Sequence, residues 1–223
     1  MGNKLHDIKT VHTDFTEALM HLYTENNLED ISVVMLCKKA GYSRSTFYRN
    51  FNTIDDVMQE LEESAIPYQS MNYLLSKSST LEMEEITNSF LKALVDHKDK
   101  YRALFTHDKN QRFTQKLKAV MRPVFRSQAE RVFDMKSFEY DVLAEYLTMA
   151  KISLLRIWAV SSADYDLAYL TKITDATIER SLWDGIDEAN QCRKEGREFK
   201  RVTIDELAET RPWIAHRYGS LHG

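Results

Sequence analysis

Glycine, proline and cysteine are scarce in this chain, whose 223 residues include 6 Gly, 3 Pro and 2 Cys. The low Gly and Pro content argues against a turn-rich β protein and favours long helices. The cysteines, Cys37 and Cys192, are far apart in sequence and form no spaced pair for zinc or redox chemistry. A reduced, cytosolic compartment is the simplest interpretation of this cysteine content.

An apolar leader, a membrane-spanning run and a strong net charge are also missing. The first residues contain no apolar run, and the apolar stretch from Ile152 to Val160 is short and contains Arg156. We therefore expect a cytoplasmic protein without membrane contact. Because the formal net charge is −4, nothing attracts the whole chain to nucleic acid, and a DNA-binding surface would have to be local.

Apolar residues recur at three- and four-residue spacing along most of the chain, which predicts an all-α fold. The first helix is expected from about Asp7 to Glu25, with one apolar face made by Ile8, Val11, Phe15, Leu19 and Leu22. Longer helices are expected beyond the polar stretch Ser76–Thr80, at Leu81–His97, Lys100–Phe105, Gln111–Arg131, Phe138–Ser161 and Tyr165–Ile186. The charged stretch after Asp187 is expected to extend the last helix until Gly196 ends it, with a short helix at Ile204–Thr210.

Two short helices separated by a glycine turn follow the first helix. Ser32 is a suitable N-cap for the first of them, and Ser43 for the second, Arg44–Asn50. Gly41 between them suits a turn that requires positive φ. Phe47 and Phe51 are four residues apart, so both should face the core. Thr53 is then expected to cap a fourth helix, with Asp56 completing a capping box and Pro67 ending the helix.

The charge pattern around this turn carries the functional prediction. Residues 31–54 contain no acidic residue and four cations, Lys38, Lys39, Arg44 and Arg49, so this window is formally +4 within an acidic chain. DNA binding requires positive charge against phosphates and a narrow element that enters the major groove. Two short helices joined by a tight turn supply such an element, with the second as recognition helix.

The recognition helix is expected to present a polar face outward. Arg44 lies at its start and can bond bidentately to guanine, while Ser45 and Thr46 can contact bases or phosphates. Tyr48 and Arg49 are expected to contact phosphates, which position a protein without specifying sequence. Ser43, Lys39 and Thr53 complete the predicted DNA-binding set. Lys38 and Lys39 either contact phosphate or only contribute to the positive field, and the free amides after Thr53 could meet a phosphate.

The stretch from Ile31 to Phe51 resembles the helix-turn-helix of TetR-family transcriptional regulators. The resemblance rests on Ala40-Gly41, Ser43, Thr46-Phe47-Tyr48 and Phe51, with Phe15, Ala18 and Leu22 in the preceding helix. The version Arg44-Ser45-Thr46-Phe47-Tyr48 is similar to that common in Gram-positive bacteria. The match covers about residues 8 to 63. It departs at Ile54, where the family usually has a Lys that contacts the DNA backbone, and in a C-terminal extension of roughly 35 residues.

The resemblance implies three parts and a homodimer. Residues 1–63 would form the helix-turn-helix DNA-binding domain, residues 64–186 a helical effector-binding and dimerisation domain, and residues 187–223 an extension of unknown role. Helices Phe138–Ser161 and Tyr165–Ile186 would pair between subunits in a four-helix bundle. A small-molecule effector would release a palindromic operator, and we expect repression rather than activation.

Other interpretations of these residues remain open. The outward face of the recognition helix could be a solvated surface, and the helix-turn-helix could be vestigial in a helical protein-interaction module. Met and aromatic residues of the C-terminal part could line an effector pocket or pack a core and dimer interface, so no ligand residue is predicted: Tyr101, Phe105, Met121, Phe125, Tyr140, Tyr146, Met149 and Trp158. No nucleophile motif, phosphate loop or paired His is present, so we expect neither an enzyme nor a metal site or cofactor.

Overall fold

The computed structural model describes residues 8–76, 91–92, 94–108, 111–132, 135–162, 166–174 and 180–198. Every regular element in these residues is a helix, which confirms the all-α prediction. The chain divides into two compact units, Met1–Asp175 and Ala176–Gly223. The predicted division at residues 63 and 186 stays a prediction.

The N-terminal helices begin and end close to where the sequence predicts. They are α1 (Ile8–Glu25), a 3₁₀ turn (Leu28–Asp30), α2 (Val33–Ala40), α3 (Arg44–Asn50) and α4 (Ile54–Ala65). All three predicted N-caps are confirmed, since the hydroxyls of Ser32, Ser43 and Thr53 each accept a hydrogen bond from a first-turn amide. α4 ends two residues before Pro67, as expected for a residue without an amide donor.

Further helices described in the first unit are α5 (Tyr68–Ser76), α6 (Lys98–Thr106), α7 (Arg112–Val132), α8 (Ser137–Val160) and α9 (Leu167–Thr174). The second unit contains α10 (Arg180–Lys194). The predicted helix Tyr165–Ile186 is described in part, as α9 and the beginning of α10, and residues 175–179 lie outside the described residues. Gly196 follows α10 with φ of +66°, so the helix ends where it is expected to. The predicted helix Leu81–His97 falls mostly outside the described residues, and Ile204–Thr210 entirely.

One hydrophobic core runs through the first unit. It begins at Val11 in α1 and continues to Leu167 in α9, with Phe15, Phe105 and Trp158 among its fully buried side chains. α1 packs against α2, α4 and α6, while α7 and α8 lie against each other along their lengths. The helix-turn-helix is therefore built on the same core as the helices that follow it.

Ile8 departs from its predicted role. It was expected on the buried face of α1, but its side chain is 69% exposed. It is the first residue of α1, and nothing in the described residues covers this helix end. Tyr23 instead extends the buried face at the other end of α1, where Leu22 is half-buried.

The described helices include none with the length and hydropathy needed to span a membrane. Cys37 and Cys192 are both buried and unpaired.

Candidate nucleic-acid interface

The turn between α2 and α3 has a fixed geometry. Gly41 ends α2 with φ of +77°, the left-handed region that favours glycine, and the Tyr42 amide donates to the Cys37 carbonyl at 3.0 Å. Ser43 then caps α3, its Oγ accepting from the Thr46 amide at 3.1 Å. Only three residues separate the two helices, so their relative orientation is closely constrained.

Aromatic packing fixes which side of α3 faces solvent. Phe47 is fully buried and Phe51 is 4% exposed. Their rings lie 5.5 and 5.6 Å from that of Phe15 in α1, both nearly edge-on. Both side chains face the core, as predicted, and the opposite side of the short helix is consequently turned outward.

The predicted contact residues of α3 lie together on this outward side. Arg44, Ser45 and Arg49 are exposed, Tyr48 is 53% exposed, and Thr46 is half-buried. The Ser43 hydroxyl is engaged locally, since it lies 2.8 Å from the Ser45 hydroxyl and 3.0 Å from that of Thr46. Ser43 therefore shapes the start of the helix together with Ser45 and Thr46, whereas Arg44, Tyr48 and Arg49 take no part in these bonds.

Lys38 and Lys39 extend the basic surface onto α2. Both are exposed in the last turn of that helix. Within the described part of the chain, neither they nor Arg44 and Arg49 form an ion pair. Their charge is therefore not neutralised by the residues that the structure describes.

The start of α4 uses its own side chains to satisfy its backbone. The Asp56 carboxylate accepts from the amides of Asn52 at 2.7 Å and Thr53 at 3.0 Å, and the Thr53 hydroxyl accepts from the Asp56 amide at 3.2 Å. The bond from the Thr53 amide, followed by that from Asn52, lowers the pKa of Asp56. The amides of Asn52, Thr53 and Asp56 are thus occupied within the chain, and a phosphate contact by the other amides after Thr53 stays a prediction.

Ile54 occupies the position where a Lys was expected. It is half-buried and packs against the hydrophobic core. Core packing therefore accounts for an apolar residue here, and the first residue of α4 offers no cation to DNA.

Two contacts that position the interface could not be predicted from local sequence. The Tyr42 hydroxyl donates to the Asp14 carboxylate at 2.6 Å and ties the turn to α1. This hydrogen bond is the main cause that raises the pKa of Tyr42. His12 lies 2.6 Å from the Glu60 carboxylate, with its ring 4.5 Å from that of Phe51. Each contact joins residues far apart in sequence, and no short motif indicates them.

The described residues contain no group of three or more His, Cys, Asp or Glu side chains placed to hold a metal ion. The chemistry that this surface offers is positive charge, hydrogen-bond donors and an exposed aromatic ring.

Two comparisons with known proteins found a similarity. Residues 82–180 match a family model described as a transcriptional regulator C-terminal region. A solved structure, the dihydroxyacetone kinase operon activator DhaS, is 18% identical with a TM-score of 0.50, covering 76% of this chain and 96% of that one. At this identity the likeness concerns the fold alone. No curated protein matches the chain.

Proposed function

We propose that this chain is a TetR-family transcriptional regulator that binds operator DNA as a homodimer and represses transcription until an effector binds. The observation that carries this proposal is the outward surface of α2 and α3, which is basic, free of acids and unpaired within the described structure. The family consists of regulators, and the function we propose is regulation rather than catalysis.

Within this proposal the residues of the surface have different roles. Arg44, at the start of the recognition helix, contacts a guanine and contributes sequence preference. Tyr48, Arg49 and Lys39 contact phosphates and position the helix in the groove. Ser45 and Thr46 contact bases or phosphates, and Ser43 and Thr53 lie where the two helix starts approach the backbone. Ile54 removes one phosphate contact, so binding should be weaker than with a Lys there.

An apolar stripe along α8 supports the homodimer. Exposed apolar residues recur on one face of this 24-residue helix, at separations that keep them within about a third of its circumference. They are Phe138, Val142, Tyr146, Ile157 and Val160, each between 43% and 64% exposed. The opposite face packs on the core through residues such as Leu147 and Trp158. A second copy of the chain would bury this stripe in a self-complementary interface.

A two-fold dimer implies a palindromic operator. Each subunit would place one recognition helix in the major groove, and the half-site centres would be about 34–36 Å apart, or a multiple of that distance. Operator symmetry is therefore a geometric consequence of the dimer.

The proposed effector binds among the C-terminal helices. An apolar cavity of about 10 Å³ lies among residues that include Pro67, Tyr101, Met121 and Leu155, which is room for about one water molecule. A small molecule binding between these helices would have to expand the cavity, and this displacement would bias the separation of the recognition helices. No single ligand residue is assigned.

Selection of genomic DNA fragments by the purified full-length protein tests this function. The recovered fragments should share an inverted repeat with the stated spacing, and enrichment should persist against excess nonspecific DNA. If no fragment is enriched even at low salt, the protein is not a sequence-specific regulator. The alternative of a protein-interaction module with a vestigial helix-turn-helix would then be favoured.

A reporter fused to the selected operator tests the sign of regulation. Repression predicts higher expression when the regulator is deleted. Lower expression on deletion would show activation, the activity named for the structurally similar DhaS.

A further inference from the structure

The outward face of α2 carries two apolar residues that do not contribute to packing against the core. Leu36 and Cys37 bury one side of this helix, and Val33 packs partly against the core. Val34 and Met35 point away from it, with 58% and 37% of their side chains exposed. They share this face with Lys38 and Lys39, because residues three and four apart are neighbours on a helix.

Local structure does not account for valine at position 34. A β-branched side chain loses rotamer freedom in a helix, so an exposed helical site favours Ala, Lys or Glu over Val. Val34 makes no contribution to the core cluster of the described residues. The helix start is already satisfied by Ser32, whose hydroxyl accepts from the Met35 amide at 3.2 Å. No contact within the described residues gives this side chain a role, which leaves an external partner.

The surroundings of Val34 indicate the chemistry of that partner. α2 and α3 pack against each other, and the exposed residues of both helices form one surface that contains cations but no acid between residues 31 and 54. An apolar residue at the edge of a basic surface is suited to DNA, where the thymine 5-methyl is the apolar group presented in the major groove. A phosphate would offer Val34 no favourable contact.

We propose that Val34 contacts a thymine 5-methyl group in each operator half-site, and that it determines specificity beside Arg44. This inference rests on the proposed function, since it requires that α3 occupies the major groove. Val34 would then favour thymine over cytosine at one position that α3 does not specify. Burial of one methyl group corresponds to about a fourfold change in the binding constant.

The test measures binding of the full-length protein to its selected operator, with individual thymines replaced symmetrically by deoxyuridine, which lacks the methyl group. One thymine in each half-site should be sensitive, and its replacement should weaken wild-type binding by about fourfold per half-site. V34A should bind the thymine operator as weakly as the wild type binds the operator with deoxyuridine at the sensitive position. Replacing that thymine by deoxyuridine should not weaken the binding of V34A further. Because Ala is a better helix former and position 34 is exposed, V34A should fold normally.

M35A is the matched control, since Met35 is the neighbouring exposed apolar residue. It should keep the wild-type sensitivity to deoxyuridine. The proposal would be overturned if no thymine were sensitive to replacement, or if V34A lost further affinity on deoxyuridine at every sensitive thymine. Either result would leave the regulator function intact. Failure of the wild type to bind any selected DNA would instead overturn the function itself.

Discussion

Arg112 at the start of α7 pairs with Glu62 of α4, a carboxylate whose side chain is only 3% exposed. The Arg112 Nε lies 3.0 Å from the Glu62 carboxylate, Lys116 Nζ lies 2.7 Å from it, and Arg112 also pairs with Asp55 at the start of α4. Burial opposes the charge of Arg112, but its bond to Asp55 and the charge of Glu62 raise its pKa. This cluster fastens α4, which follows the recognition helix, to the helices of the C-terminal region.

Removing Arg112 should destabilise the protein strongly. Arg112→Met leaves Glu62 buried with Lys116 as its remaining cation, and the expected loss in unfolding free energy is about 1–3 kcal/mol, the cost of removing one hydrogen-bond partner of a buried group. Equilibrium unfolding in urea measures this loss of free energy. Lys118→Met is the control, because it removes the half-exposed pair with Glu145 and should cost about 0–1 kcal/mol.

A second variant tests whether the buried charge causes that loss. Combining Arg112→Met with Glu62→Gln should recover part of the stability, since a neutral amide is less costly to bury than a carboxylate that has lost one of its two cations. Additive losses in the double variant would contradict this account of the cluster.

The capping box of α4 should make stability depend on acid pH. The pKa of Asp56 is lowered in the folded state, so its contribution is present above the unfolded value of about 3.9 and is lost as pH falls through the folded value. Asp56→Ala should remove this part of the pH dependence in denaturant unfolding. Thr53→Ala, which keeps the amide bonds to Asp56, should cost about 1 kcal/mol and retain the pH dependence. An identical pH dependence in Asp56→Ala and the wild type would contradict the prediction.

The Tyr23 hydroxyl should lose its proton only at high pH. Burial, followed by the charges of Asp108 and Glu62, raises its pKa to about 12, and its hydroxyl donates to the His107 carbonyl at 2.8 Å. Because the pKa is raised above the unfolded value of about 10, the contribution to stability is complete below that value and is lost as pH rises through about 12. In a tyrosinate absorbance titration, Tyr23→Phe should remove one late component and leave the earlier ones. The Tyr23→Phe variant should also lose about 1 kcal/mol of unfolding free energy near neutral pH, because it lacks the hydroxyl hydrogen bond.

A charge in the α8 stripe should separate the subunits. Ile157→Glu and Val142→Glu place a carboxylate where two copies would meet, so sedimentation should show a dimer for the wild type and monomers for the variants. Gln115→Glu adds the same charge at an exposed position of α7 and should remain dimeric. A monomeric wild type, or variants that stay dimeric, would exclude this face as the interface.

The sequence predicts the local features of the interface well, because short-range chemistry determines them. Ser43, Gly41 and the spacing of Phe47 and Phe51 each act within a few residues, and the structure has them where expected. The pairs Tyr42–Asp14 and Arg112–Glu62 depend on how helices dock, so no local pattern reveals them. The substitution at Ile54 was visible in the sequence, but its packing against the core was not.

The most direct test of the account is a salt series of binding constants for the selected operator and a shuffled fragment of equal length, with the wild type and Arg44→Ala. We expect the wild type to prefer the operator by at least about 1,000-fold and to lose affinity for both fragments as salt rises. Arg44→Ala should lose about 1–3 kcal/mol of discrimination at one base pair. Equal binding to both fragments, or affinity that does not change with salt, would contradict the claim that α2 and α3 form a sequence-specific DNA-binding surface.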